Sequence, residues 1–307
     1  MKISCHDLLK AFRMKFRKHL RFFIGNIIGF FVYHLASKKM KNLNNNEILS
    51  IYFHNPSVKN FERIVRYLRK ESFTFISVDK LEQILTGKEP IDKKYVVLTF
   101  DDGWQSNISL IPIIEKYEVY SCFFITIDPI ISGNFWWEYV RAVYTDKNFK
   151  VKKLEELKKV SNKERLEIIE TLKQKISLQR SAMTKDELLE FAKCKFITIG
   201  SHSVNHPVTI NCADHEIEFE YTESKTILEN WLKREVHYFA FPNGNYNSID
   251  IHYLNKANYR MAFTTKSEFI NYESDLFQIP RNPCFEGGGF HENRAKMFGI
   301  WQKKITN

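Results

Sequence analysis

The chain has 307 residues, 44% of them apolar and 27% charged, which allows a sizeable core and argues against general disorder. Its net charge is +10, but residues 1–41 hold ten Lys or Arg against one acid, Asp7, so +9 of that charge sits in the first segment. The remaining body is almost neutral, and a basic surface for gripping a nucleic-acid backbone is not supported.

That first segment carries an apolar run from Phe22 to Ala36, flanked by cations on both sides. Its fifteen residues are fewer than the roughly 20 that a spanning helix needs. Asn26 interrupts it, and no small-residue cleavage site of a signal peptide is apparent. Two uses fit: a helix lying in an anionic membrane surface, served by residues 10–41, or an N-terminal helix that docks on the core or frays. The expected location is membrane-associated, on the cytoplasmic side. Five cysteines (Cys5, Cys122, Cys194, Cys212, Cys284) are odd in number and far apart. That spacing is neither a disulfide framework nor a zinc knuckle, and it leans towards a reducing compartment.

The polar stretch Asn42 to Glu47 reads as a linker, so residues 1–46 form a basic and apolar helical extension. Strand and helix signals then alternate. Residues 48–53 (ILSIYF) are apolar enough for a buried strand. Phe61, Ile64, Val65 and Leu68 recur at i, i+3, i+4, i+7, an amphipathic helix opened by Pro56-Ser57. Further strands are expected at 73–77, 95–100 and 121–126, with short helices over 80–85 and from Pro112 towards Tyr117. Between 128 and 190 the pattern loosens into a helical insertion with capping-box spacings at 161–164 and 184–187. Strands return at 195–200, 236–241 and 259–264, separated by helices over about 214–233 and 249–257. Repeated βα units imply a parallel sheet or barrel, whose functional loops follow the strand C-terminal ends.

Chemistry-bearing residues fall at those ends. Asp101-Asp102-Gly103 follows the 95–100 strand, and Ser201-His202-Ser203-Val204-Asn205-His206-Pro207 follows 195–200. Pro242-Asn243-Gly244 follows 236–241, and His54 follows 48–53. Two adjacent carboxylates repel, and each is costly to desolvate. A divalent cation removes the difficulty: two imidazoles and one carboxylate make a catalytic metal set with an open position. One aspartate ligates, and the other is free to accept a proton. Such a cation generates a strong nucleophile near neutral pH and polarises a carbonyl.

The stretches TFDDG and HSVNHP resemble the first two motifs of the polysaccharide deacetylases, the NodB-homology carbohydrate esterases of the family 4 type. Phe239 to Gly244 (FAFPNG) resembles the third motif in its FAYPYG-type variant, ILSIYFH the opening strand, and Ile279 to Pro283 (IPRNP) a segment near the domain's end. The resemblance covers about 47–285. It implies an α/β fold, a deformed (β/α) barrel of about seven strands, with the catalytic domain over 47–290 and a tail over 291–307. It implies removal of N-acetyl groups from a cell-envelope polysaccharide, or from its oligosaccharide or lipid-linked precursor, with a divalent metal, Zn2+ first among them. Carried over, Asp101 is the general base, and Asp102, His202 and His206 are the metal ligands. A backbone N–H around Asn243-Gly244 serves the oxyanion, with Pro242 in the same turn and His54 at the substrate mouth.

Two departures stand out. Ala240 occupies the place where chitin- and peptidoglycan-type members carry an Arg, and no Leu-x-His motif supplies a general acid. Arg281 is therefore a candidate to enter the site and support Asp101 or the substrate, against a surface salt bridge. His291 is a remoter candidate acid. Of Trp136 and Trp137, one indole, taken as Trp137, can line an acceptor groove, or both can be core aromatics. A non-catalytic glycan-binding module on the same fold is the competing reading.

Overall fold

The computed structural model describes residues 16–17, 19–34, 46–143 and 153–301. Cys5 and most of the expected 42–47 linker lie outside the described residues. Eight strands are present among them: β1 (Leu49–Phe53), β2 (Thr74–Phe75), β3 (Tyr95–Phe100), β4 (Ser121–Ile125), β5 (Ile197–Ser201), β6 (Tyr238–Ala240), β7 (Met261–Phe263) and β8 (Asn282–Pro283). Every pairing between them is parallel, in the order β7-β6-β5-β4-β3-β1-β8, with β2 on β3. One segment turns this sheet into a deformed (β/α) barrel. Ile279 bridges to Phe263 of β7, while Asn282 and Pro283 pair with Ile51 and Tyr52 of β1. The chain from Ile279 to Pro283 is thus the seam of the barrel.

Residues 19–34 form helix α1. The body's helices are α2 (Val58–Lys70), α3 (Val78–Leu85), α4 (Ile111–Tyr117), α5 (Ile127–Ser132), α6 (Trp136–Val143), α7 (Leu154–Leu157), α8 (Asn162–Lys175), α9 (Lys185–Phe191), α10 (Asp214–Leu232), α11 (Ser248–Lys256) and α12 (Phe290–Met297). Local chemistry sets several starts. Ser57 and Ser77 cap α2 and α3 through their side chains, and Thr184 with Glu187 forms a reciprocal capping box on α9. Pro112 sits in the first turn of α4, where a missing N–H costs nothing.

The strands are buried on both faces, which explains their near-continuous apolar sequences. Outward residues such as Leu49, Ile51, Leu98, Phe123 and Ile199 pack on α2, α4, α9 and α10. Inward residues such as Val97, Cys122, Phe124, Met261 and Phe263 fill the lumen, joined by Val78, Leu81 and Ile84 of α3. Phe53, Phe100 and Phe123 stack across three neighbouring strands at 5.0 and 4.3 Å between ring centroids. Each such buried ring contributes roughly 1.5–3 kcal/mol relative to an exposed one. The insertion has its own small core around Trp136, Tyr139, Leu157, Ile169 and Leu172. At the other end, 290–297 is no loose tail: α12 packs on α2 and β8, with Ala295 and Met297 buried.

Candidate active site

Strand register brings the motif residues to one rim. Phe53, Phe100 and Phe123 are aligned partners across β1, β3 and β4, and Ile125, Ser201 and Phe239 across β4, β5 and β6. The backbone continues that alignment: Asp101 donates its N–H to the Phe53 carbonyl and His202 to that of Ile125, both at 2.9 Å. Past the rim the loops turn sharply. Asp102, Ser203, His206 and Asn243 all have positive φ, between +48° and +81°. Non-glycine residues hold that conformation only where surrounding contacts enforce it.

Those contacts are visible for the histidine loop. Buried Glu220 of α10 accepts the N–H groups of Val204 and Asn205, each at 2.8 Å, and the Asn205 side chain as well. The insertion holds the other side. Trp136 donates its indole N–H to the His206 carbonyl at 3.2 Å, and Arg165 donates to the Asn205 carbonyl at 3.3 Å. The Arg165 guanidinium also lies 5.1 Å from the Trp136 ring centre.

His202, His206 and Asp102 converge. The Nε2 atoms of the two imidazoles lie 3.6 and 3.5 Å from Asp102 Oδ1. His202 Nδ1 is 2.7 Å from the Ala240 carbonyl, which fixes it as the protonated nitrogen and leaves the Nε2 lone pair facing Asp102. The Trp104 indole donates to Asp102 Oδ2 at 2.9 Å. Asp102 Oδ1 is buried and has no hydrogen-bond partner. Burial pushes the Asp102 carboxyl above the usual range despite the nearby imidazoles, and it pushes His202 and His206 down. Two neutral imidazoles and an unpartnered carboxylate oxygen suit a cation, and this set can hold a metal ion.

Asp101 has the opposite setting. It faces the lumen, where Arg281 of the seam forks onto it, Nη1 to Oδ1 at 2.7 Å and Nη2 to Oδ2 at 2.9 Å. Arg281 is wholly buried and bonds also to Thr99 Oγ1 and the Thr264 carbonyl. Burial works against the Asp101 carboxylate, but the guanidinium outweighs it and holds the carboxyl below its ordinary value.

Asp101, Asp102, His202 and His206 share a cavity of about 900 Å³, lined also by His54, Glu286, Trp104, Trp136, Trp137, Phe241, Asn243 and Thr265. Glu286 Oε1 accepts the backbone N–H of His54 and Asn55, both at 3.0 Å, and lies 3.5 Å from His54 Nδ1. Burial disfavours the imidazolium, but Glu286 and the two aspartates prevail, and His54 is pushed up to about 9. Its ring is 42% exposed, at the solvent side. Both indoles line the cavity, but Trp137, which stacks on Phe135 and meets His206 edge-on at 4.8 Å, is the more exposed, while Trp136 is buried as a clamp.

Asn243 lines the cavity, but Pro242 is buried and neither it nor Gly244 is in the lining. Gly244 donates its N–H to the Phe241 carbonyl, and a Cβ there would strike Thr265 at 1.9 Å. His291 is on α12 beneath α1, edge-on to Phe30, and does not line the cavity. Trp104, Glu286, Arg165 and Glu220 were not singled out from sequence. Only Trp104 carried a signal, its place directly after Asp-Asp-Gly.

The polysaccharide deacetylase family model matches residues 88–262, more than half of the chain. The poly-beta-1,6-N-acetyl-D-glucosamine N-deacetylase of Escherichia coli (strain K12) is 27% identical over 246 residues, covering 70% of this chain and 31% of the relative. The chain thus spans about a third of that relative's length. Two solved structures share the fold with a TM-score of 0.60 each. Streptococcus pyogenes deacetylase PplD, in complex with acetate, is 16% identical over 82% of this chain and 98% of its own. IcaB from Ammonifex degensii is 17% identical over 82% and 97%. With its Asp-Asp and His-x-x-x-His loops gathered at one rim of a deformed barrel, the chain belongs to the polysaccharide deacetylase family.

Proposed function

We propose that the chain is a metal-dependent hydrolase that removes N-acetyl groups from a cell-envelope polysaccharide, or from its oligosaccharide or lipid-linked precursor, at a membrane surface. One observation carries this reading. An unpartnered buried carboxylate oxygen, Asp102 Oδ1, faces two imidazole nitrogens, one residue from a carboxylate that Arg281 holds ionised. The activity named for the Escherichia coli relative supports the same substrate class.

Asp102, His202 and His206 would hold the ion, and Zn2+ suits two imidazoles and one carboxylate best. When bound, the ion polarises the amide carbonyl and makes water acidic enough to attack near neutral pH. Asp101 accepts the proton of the attacking water, since each oxygen bonded to Arg281 keeps a second lone pair. His54, cationic beside Glu286, donates a proton to the departing amine nitrogen, the role for which no Leu-x-His motif exists. The Asn243 N–H is the candidate donor to the carbonyl oxygen, because Gly244 spends its own within the turn. The Trp137 face offers an apolar surface to a sugar ring.

The test is incubation of the purified chain and Zn2+ with N-acetylglucosamine oligomers and envelope glycans, reading acetate release and acetyl loss by mass spectrometry. Asp101→Asn and His202→Ala are the controls. Absence of a bound divalent ion, and of acetate from every N-acetylhexosamine polymer, would leave a glycan-binding module instead.

A further inference from the structure

Helix α1 is inverted. Its small and polar face is turned to the body, and its large apolar face is turned away. A Cβ on Gly29 would lie 2.5 Å from the Glu292 backbone, and one on Gly25 2.5 Å from the Glu292 carboxylate. Asn26 Oδ1 accepts the His291 N–H at 2.8 Å, Arg21 pairs with Glu292 at 3.1 Å, and the Arg294 guanidinium covers the Tyr33 ring at 3.3 Å. On the other side Leu20, Phe23, Ile27 and Phe31 recur at i, i+3, i+7 and i+11 and are 42–63% exposed. A soluble helix buries such a stripe.

We infer that this outward face lies in the interface of an anionic phospholipid bilayer, with α1 parallel to the membrane plane. Charge supplies the occupant: Lys10, Arg13, Lys15, Arg17 and Lys18 precede the apolar stripe, and Lys38, Lys39 and Lys41 follow it. Docking fixes the orientation. A helix held to the body from Arg21 to Tyr33 cannot stand across a bilayer, and no described helix is long and apolar enough to cross one. The seat of α1 also adjoins the cavity. Arg21 lies 4.4 Å from the Phe285 ring and donates to the Gly287 carbonyl, on either side of Glu286, which binds His54. The bilayer-bound helix therefore sits one residue from a cavity wall, and the substrate class that fits is an N-acetylated glycan attached to or emerging at the membrane surface. This last step rests on the deacetylase reading.

The experiment uses the full chain and its Phe23→Ser/Ile27→Ser/Phe31→Ser variant, with circular dichroism and bound-metal content confirming that the body is intact. Co-sedimentation with phosphatidylglycerol/phosphatidylcholine vesicles is expected to fall about tenfold or more in the variant, and to weaken in high salt for the unsubstituted chain. Acetate release from a soluble oligosaccharide should be equal for the two, while release from a vesicle-tethered one drops in the variant. Vesicle binding that is equal for the two chains, or absent from both, overturns the inference. So does a detergent-free dimer of the unsubstituted chain that the variant dissolves, because the face then belongs to a second copy. Binding that behaves as expected without any acetate release sinks the deacetylase reading and leaves the membrane seat standing.

Discussion

Asp101 and Asp102 are joined by one peptide bond, yet they look into different chemistry. Asp101 points into the lumen and meets a cation that the chain itself supplies, Arg281. Asp102 points to the histidine loop and meets two neutral imidazoles. Burial penalises both carboxylates, and only the partner differs: Asp101 is held below its ordinary value and Asp102 is pushed above it. A barrel rim can therefore carry two buried acids when one cation is built in and the other is imported. On the proposed reading, the built-in partner makes Asp101 a proton acceptor that stays ionised, and the unpartnered Asp102 oxygen makes a metal ligand.

The largest effect should come from the imported side. His206→Ala or Asp102→Asn removes one of the three proposed donors, and acetate release should fall on the order of 10³-fold or more. Elemental analysis should show the bound ion lost as well. Retention of stoichiometric metal in either variant would break the contrast between the two acids. Next, Asp101→Asn should lower kcat by about 10²–10⁴-fold, the range of a general base, while leaving metal content unchanged.

Arg281 tests the built-in cation. Arg281→Met leaves the Asp101 carboxylate buried without compensation, and stability in urea should drop by about 3–5 kcal/mol. Adding Asp101→Asn to that variant should recover part of the loss, because the orphaned charge goes with it. Simple additivity of the two substitutions would mean that the fork does not couple them.

How much of this was legible in the sequence follows from the range of each contact. The paired aspartates and the two histidines stand directly after apolar runs, so strand ends and residue types were enough to place them. Arg281 could be suspected only because Ala240 left a charge missing. Its partner is 180 residues away, and a Pro-Arg-Asn-Pro stretch does not read as a strand. The structure shows why prolines are tolerated: β8 is a two-residue seam that pairs with β1 only. Glu286 follows the same logic, since it holds His54 from 232 positions away with no local pattern around it. The helix over 290–297, within the expected tail, is hidden from the sequence for a related reason. Gly287-Gly288-Gly289 looks like a loop, and the α12 that follows is fixed by contacts to α2 and to the distant α1.

The clamp on the histidine loop sharpens the imported side further. Trp136 and Arg165 touch no ligand atom of the metal set, but they fix the His206 and Asn205 carbonyls of a loop with two positive-φ residues. Trp136→Phe and Arg165→Met should each weaken Zn2+ affinity, measured by competition with a chelating dye, by about 10–100-fold, as outer partners of metal ligands commonly do. The insertion would then be part of the metal site's framework. Unchanged affinity with lowered thermal stability would reduce it to a packing element.

The smallest effect concerns His54, the group that feels both acids. Its imidazole is pushed up to about 9 in the folded chain, against about 6.5 when unfolded. A group raised on folding adds stability that is complete below the unfolded value and is lost as pH rises through the folded one. Metal-free protein should therefore lose a modest increment of stability between about pH 6.5 and pH 9, modest because the ring is 42% exposed and solvent screens it. Glu286→Gln keeps an acceptor for the His54 and Asn55 N–H groups but removes the charge, and should flatten that slope. Loading the site with Zn2+ should shift the loss towards neutral pH, because a cation on Asp102 cancels the carboxylate's pull on His54. Chemical denaturation across this pH window, with and without metal, reads both effects. A slope that ignores the metal would mean that His54 and Asp102 do not share one electrostatic site.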